Sequence, residues 1–264
     1  MKKNMGIILG MLIICGYLSS GCSKNMIEDK VAEQRDTLYQ VSTIDSLLAG
    51  NYDGFQSIGD LKKKGDIGIG TFDELDGELV MIDKKVYKIK DTGKVEEVGD
   101  TIKTPFAAVT FFDKDISKEL MNINNYDSLK QELDKLIEYK DSFYAFRLDG
   151  TFKYVKTRSV PKQKKPYPVL SEVTKNQPTF EYNDIKGSLV GFWCPEYVGS
   201  INVPGYHLHF ISDDRAKGGH LLDMSFIEAG VYADITNAFK MELSQSNVSG
   251  QISKVKEEIK KVEK

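Results

Sequence analysis

The chain has little cysteine, little net charge and no apolar run long enough for a permanent membrane helix. Its three cysteines are Cys15, Cys22 and Cys194. Cys15 lies in an N-terminal apolar stretch and Cys22 just behind it, so Cys194 is left without a partner and an intramolecular disulfide framework is excluded. Stability must then come from a core, and the roughly 240 residues behind that stretch suffice for one large domain or two small ones. Lys and Arg number 36 against 39 Asp and Glu, a formal charge of −3. That balance leaves no basic field to hold nucleic acid. Past Tyr17 no segment approaches the ~20 apolar residues that a spanning helix needs. Internal repeats and low-complexity tracts are also missing.

The N-terminus reads as an export signal. Lys2 and Lys3 precede the apolar run GIILGMLIICGY, residues 6–17, which is too short to remain as a span. LSSGC follows at 18–22. Small residues before a cysteine resemble a bacterial lipobox, although Ser19 stands where that pattern prefers leucine. The expectation is a lipoprotein signal peptide over 1–21, lipid on Cys22, and an exported protein anchored at a membrane outside the cytoplasm. Residues 22–41 are polar and mixed in charge, as in a flexible tether.

The folded part is expected from residue 42. Ser42 or Thr43 can cap a short helix ending at Gly50. Residues 66–72, 78–90, 94–99 and 104–112 are β-rich and separated by turn residues. Tyr126, Leu129, Leu133, Leu136 and Ile137 recur at helical spacing within 124–140. Residues 142–160 return to strand pattern, with Asp149-Gly150 marking a hairpin turn. The proline-rich 161–180 reads as a linker or long loop, and 187–243 as β again. In the tail, Ile252, Val255, Ile259 and Val262 form one helical stripe. The fold class is α+β, with mixed or antiparallel, partly barrel-like sheets and few helices. Two subdomains are expected: a β-rich one over 42–160, and a metal-binding one over 161–264 that ends in a helix.

Histidine is as scarce as cysteine, and all three, His207, His209 and His220, fall within GYHLHFISDDRAKGGH, residues 205–220. YHLHFI reads as a strand, which puts His207 and His209 on one face. SDDRAKGG supplies a turn, with Gly218 and Gly219 able to take positive φ. A turn symmetric about residues 214 and 215 sets His220 opposite His209. Three imidazoles then converge on one face of a hairpin. Three nitrogen ligands with an open position are the pattern of a catalytic zinc, whereas structural zinc usually recruits cysteines. Spacing alone leaves zinc, manganese, iron and copper open. It also leaves open a hydrolase, a hydratase, a dioxygenase and a decarboxylase.

Several segments together resemble the acetolactate decarboxylase family. They are GTFDELDGELVMID (70–83), TPFAAVTFF (104–112), YAFRLDGTF (144–152), TRSVPKQKKPY (157–167) and GSLVGFWCPEYVGSINVPGYHLHFISDDRAKGGHLLD (187–223). The resemblance runs from about residue 45 to the C-terminus. It implies zinc-dependent conversion of 2-acetolactate, (2S)-2-hydroxy-2-methyl-3-oxobutanoate, to acetoin and carbon dioxide through a metal-stabilised enediolate. By the same resemblance His207, His209 and His220 match the Zn2+ ligands, and Glu78 an active-site glutamate. Thr71 matches a polar residue beside it, and Arg158 an arginine facing the substrate. Glu263 matches a C-terminal glutamate near the metal, with Glu257 and Glu258 as rivals. Cys194 stands where the family pattern has threonine before PEY, a position that reads as a buried small residue. The resemblance also implies a homodimer. Two other readings accompany it: a zinc-dependent hydrolase or lactonase, and a surface lipoprotein that captures metal without turnover.

Overall fold

The computed structural model describes residues 35–245 and 255–263. The expected signal peptide, Cys15, the expected lipidation site Cys22, most of the expected tether and Ile252 lie outside the described residues. Among the described residues, no helix is long and apolar enough to cross a membrane.

A seven-stranded sheet runs in the order β14-β1-β8-β3-β4-β5-β6. Its strands are β1 (Thr37–Val41), β3 (Ile67–Thr71), β4 (Glu78–Ile82), β5 (Lys85–Ile89), β6 (Val95–Glu97), β8 (Ala107–Thr110) and β14 (Ala238–Glu242). All neighbours are antiparallel except β1 and β14, which run parallel. β2 (Gln56–Ser57) and β7 (Lys103–Thr104) form a small separate ribbon. β1 occupies the end of the stretch read as a tether. Leu38, Tyr39 and Val41 are buried in it, because β8 and β14 pair with it on either side. The ordered chain therefore begins before residue 42.

β3, β4 and β8 are buried at every position, as expected for strands covered on both faces. Leu79 and Met81 of β4 pack on one side with Ile58 and Leu61 of helix α2 (Ile58–Leu61). Val80 and Ile82 pack on the other side with Val190, Phe192 and Ile211 of the second sheet. By strand alternation, Glu78 shares the face of Val80, and Thr71 lies directly opposite it across β3 and β4. Both side chains are thus directed toward the seam between the sheets.

The second sheet contains β9 (Ile116–Ile123), β10 (Phe143–Arg158), β11 (Thr179–Cys194), β12 (Gly205–Ser212) and β13 (Gly218–Thr236). It is antiparallel, and an extra pairing of β10 with β13 closes it into a partial barrel. Phe146, Phe152, Leu208, Phe210 and Phe226 fill the interior, joined by Leu129 and Leu133 of α3 (Tyr126–Asp134). Asn125 and Ser128 form a capping box at the start of α3, which stabilises such an end by about 1 kcal/mol. The helix stops at Asp134; Leu136 and Ile137 pack on the barrel from the turn behind it.

Two boundaries differ from expectation. The sheets do not divide at residue 160: β9 and β10 already belong to the second sheet, and β14 returns to the first. Asp149-Gly150 is not a hairpin turn, for β10 runs unbroken through it. The glycine serves close approach instead. A Cβ on Gly150 would lie 2.8 Å from that of Ala229 on β13. Asp149 accepts from Arg147 and Ser188 beside it.

Short helices cover the seam. α1 (Ile44–Leu48) is capped by Thr43, whose Oγ1 accepts from the Ser46 amide at 3.1 Å. α4 (Leu170–Val173) interrupts the proline-rich loop. α5 (Val255–Val262) packs Ile259 and Val262 against Leu47, Leu48, Leu170 and Val173.

Candidate active site

Leu208 and Phe210 of β12 point into the barrel, so the alternate His207 and His209 face the first sheet. His209 pairs directly with His220 across β12 and β13, the register expected from the sequence. The turn that enforces this is knit by Ser212, whose Oγ accepts from the amides of Ala216 and Lys217 and donates to Asp214. Arg215 supplies a left-handed residue, φ 56°, and Gly219 takes φ 136°. Gly218 is instead needed for close packing, since a Cβ there would sit 2.7 Å from the Phe210 carbonyl oxygen.

The imidazoles converge. His207 Nε2 lies 3.2 Å from His209 Nε2 and 3.2 Å from His220 Nδ1. Tetrahedral zinc at about 2.0–2.1 Å from each nitrogen requires ligand nitrogens roughly 3.3 Å apart. The donor set therefore fits a metal ion of that size. It is the group of metal-competent side chains found among the described residues. His209 Nδ1 is 2.9 Å from the Leu79 carbonyl oxygen, which can only accept, so Nδ1 carries the proton and Nε2 keeps its lone pair. Burial, aided by the Arg158 charge, lowers the His207 pKa to about 3. Burial holds His209 and His220 well below the usual imidazole range as well. All three are therefore neutral, the protonation state a ligand requires.

Arg158 ends β10 opposite His220, just past a register shift at Lys156 and Thr157. Its side chain is buried. Nη1 donates to Glu78 Oε1 at 2.9 Å and Nη2 to the Val262 carbonyl oxygen at 2.7 Å. Nε is buried without a partner. Glu78 Oε2 stands 3.7 Å from His209 Nε2, and Glu263 Oε2 stands 3.5 Å from His220 Nε2. Burial raises the pKa of Glu78 to about 7; Arg158 opposes the rise and Glu263 adds to it. Burial raises Glu263 to about 7 too, against the pull of Arg158.

The structure thus brings His207, His220, Arg158, Glu78 and Glu263 around one cavity of about 40 Å³, with His209 behind them, 3.2 Å from His207. Thr71 also lines it, but its hydroxyl donates to the Gly77 carbonyl at 2.7 Å and so secures the turn ahead of Glu78. Glu257 and Glu258 are not at the cavity; Glu258 pairs with Lys261. Cys194 is buried among Val190, Phe192 and Val198, away from the histidines. Two participants escaped the sequence reading. The Leu79 and Val262 carbonyls are backbone groups with no side-chain signature. The apolar lining, including Leu47, Phe106, Leu170 and Val262, comes from separate elements whose convergence no local pattern encodes.

The family model described as alpha-acetolactate decarboxylase matches residues 38–251. The alpha-acetolactate decarboxylase of Methanosarcina mazei is 45% identical over 244 residues, covering 91% of this chain and 85% of the relative. That of Brevibacillus brevis is 43% identical over 213 residues, covering 81% and 75%. The crystal structure of alpha-acetolactate decarboxylase from Bacillus subtilis strain 168 superposes with a TM-score of 0.84 at 35% identity, covering 86% of this chain and 99% of that one.

Proposed function

Since this chain belongs to the alpha-acetolactate decarboxylase family and is a carboxy-lyase, we propose that the seam between its sheets carries out zinc-dependent conversion of 2-acetolactate to acetoin and carbon dioxide. The observation that carries this reading is the junction of two recognition elements. Three neutral imidazoles with metal spacing lie beside a buried arginine that has an unpartnered Nε.

His207, His209 and His220 would hold the ion. Bound there, zinc would supply Lewis acidity against the negative charge left when carbon dioxide departs. Arg158 receives the substrate carboxylate, which a planar fork of donors suits better than a point charge. Substrate displaces the Val262 carbonyl from Nη2, and Nε is already available. Glu78 is fixed at Oε1 by Arg158, so Oε2 is the atom that accepts or returns a proton at the substrate hydroxyl. Glu263, whose Oε2 stands 3.5 Å from His220 Nε2, would close the site from the His220 side when substrate is absent. Thr71 is a positioning residue, acting through the turn that presents Glu78. Ile44, Leu47, Phe106 and Leu170 exclude water from the reacting centre.

The working enzyme is a homodimer tethered outside the cytoplasmic membrane through lipid on Cys22. The lipobox-like LSSGC supports the tether, and metabolic labelling with a fatty acid, lost in Cys22→Ser, tests it. To test the reaction, the chain without residues 1–21 is loaded with zinc and given racemic 2-acetolactate. Acetoin and carbon dioxide should appear in equal amounts. No turnover by a folded, zinc-loaded sample would refute the reading.

A further inference from the structure

The cavity at the seam is nearly sealed. Every residue that lines it is buried except His207 and Glu263, which are half-buried. The way out to solvent therefore runs past these two side chains. A second and larger hollow, of about 610 Å³, lies on that side. It is a groove formed by α3 and by the ends of β11 and β12, and among the described residues Glu263 alone lines both spaces.

The groove is rigidly built. Trp193 pairs with Tyr206 across β11 and β12, and their rings pack on Tyr144 and Phe146 of the barrel. The Tyr206 hydroxyl donates to Asp134 at 2.8 Å, and the Tyr126 hydroxyl reaches the Tyr206 carbonyl oxygen at 3.5 Å. These contacts fasten α3 to β12. Lys130 stands 4.7 Å over the Tyr126 ring and pairs with Asp127 at the rim. Enclosure pushes the Tyr126 phenol above its ordinary range, and the charges of Glu263 and Asp127 add to this, so Tyr126 senses the glutamate across the boundary. The Glu263 amide donates to the Ile259 carbonyl at 3.0 Å, which fixes its backbone to α5. Opening then falls to one side chain, whose rotamers exchange quickly without any backbone change.

We propose that the groove between α3 and the ends of β11 and β12 is the entrance to the metal site, used by zinc and by the small hydroxylated carboxylate alike, with the Glu263 side chain as its door. The inference rests on the metal site and the reaction proposed above, and adds the route by which both are reached. A hollow of about 690 Å³ beside Lys153 shares no lining residue with the cavity and serves as the comparison.

The test uses the chain without residues 1–21 and with Cys22→Ser, in which the buried Cys194 is the remaining native thiol. Gln131→Cys and Asp127→Cys each place a thiol on the groove, and Lys153→Cys places one on the comparison hollow. Each is capped through a disulfide with either a methyl group or a bulky dye. Two rates are read: kcat/KM for 2-acetolactate, and zinc uptake by the stripped chain, followed with a fluorescent zinc indicator. In the groove, the dye should lower both rates about tenfold or more relative to the methyl cap, and a phosphine reductant should restore them. At Lys153→Cys the two caps should give equal rates. Glu263→Ala should speed zinc uptake, whereas loss of a mere ligand would leave uptake unchanged and hasten release. Equal rates with either cap at both groove positions, or equal losses at Lys153→Cys, would overturn the entrance. Uptake no faster in Glu263→Ala would overturn the door. An uncapped chain that takes up zinc but does not turn over 2-acetolactate would refute the decarboxylase reading, while the uptake rates would still decide the entrance.

Discussion

Arg158 Nη1 and Nη2 are engaged by Glu78 and by the Val262 carbonyl, and Nε is held without a partner. A buried arginine in that state is prepared for an anion. Arg158→Ala should lower kcat/KM roughly 10²–10³-fold, the scale for losing one preorganised charged donor. Its zinc content should be unchanged, because no arginine atom is among the ligands. Steady-state kinetics with elemental analysis of the same sample checks this, and near-normal turnover would remove Arg158 from the reaction. The residues were unequally legible in the sequence. The histidines could be derived from strand periodicity and one turn. Arg158 and Glu78 could not, since an arginine ahead of a proline-rich loop and a glutamate after a turn look like surface residues. Their similarity to a known family raised them, and the fold supplied the reason: β10 and β4 come from different sheets and meet only at the seam.

The β12–β13 hairpin is the element on which the site depends. His209 and His220 are opposed only if the turn keeps its register, and a slip of one residue would send one histidine to the barrel interior. Gly219 guards that register. A Cβ at its φ of 136° would be strained and would also lie 2.5 Å from the Arg158 carbonyl oxygen. Gly219→Ala should therefore destabilise the fold by about 1–3 kcal/mol and weaken zinc binding more than a remote change of equal stability cost. Denaturant melts and a competitive zinc titration separate the two effects. This hairpin was readable because its signals are local. Asp149-Gly150 misleads for the same reason: Asp-Gly is a strong local turn signal, and the close approach of Gly150 to Ala229 on β13, within the strand pairing, is remote in sequence. Helix α5 is legible as an apolar stripe, but only the family match of Glu263, and no local pattern, brings its end to the cavity.

At the scale of the molecule, two sheets enclose the site, and β14 joins the end of the barrel to β1 of the first sheet. Such parallel, long-range pairing leaves no local trace, which is why the local pattern places a boundary at residue 160. Asp234 lies on β13 near the connection between β8 and β9. It is fully buried, and one carboxylate oxygen accepts from the Asp113 amide at 3.3 Å while the other has no partner. Burial raises its pKa to about 8; the Asp113 amide opposes this, and the charges of Asp115, Asp113 and Asp36 reinforce it. Arg35, paired with Asp113, and Lys114, over the Tyr232 ring, are the cations nearby. A carboxyl with a raised folded pKa binds its proton more tightly in the native state. Its stabilisation is complete below the unfolded pKa near 4 and is lost as pH rises to about 8, with a slope of at most about 1.4 kcal/mol per pH unit. Relative to Asp234→Asn, the wild type should lose unfolding free energy across that window and level off above it. Denaturant melts of both proteins at several pH values give the difference, and a flat difference would show that Asp234 is ionised in both states.

The central claim is that one zinc on His207, His209 and His220 makes this fold a decarboxylase. The most direct measurement is a zinc titration of the chelator-stripped chain that follows acetoin formation and bound zinc together, with His207→Ala in parallel. Turnover that rises linearly and saturates at one zinc per chain, and that His207→Ala fails to recover, is the predicted result. Full turnover in the stripped chain, or in His207→Ala without bound zinc, would contradict it.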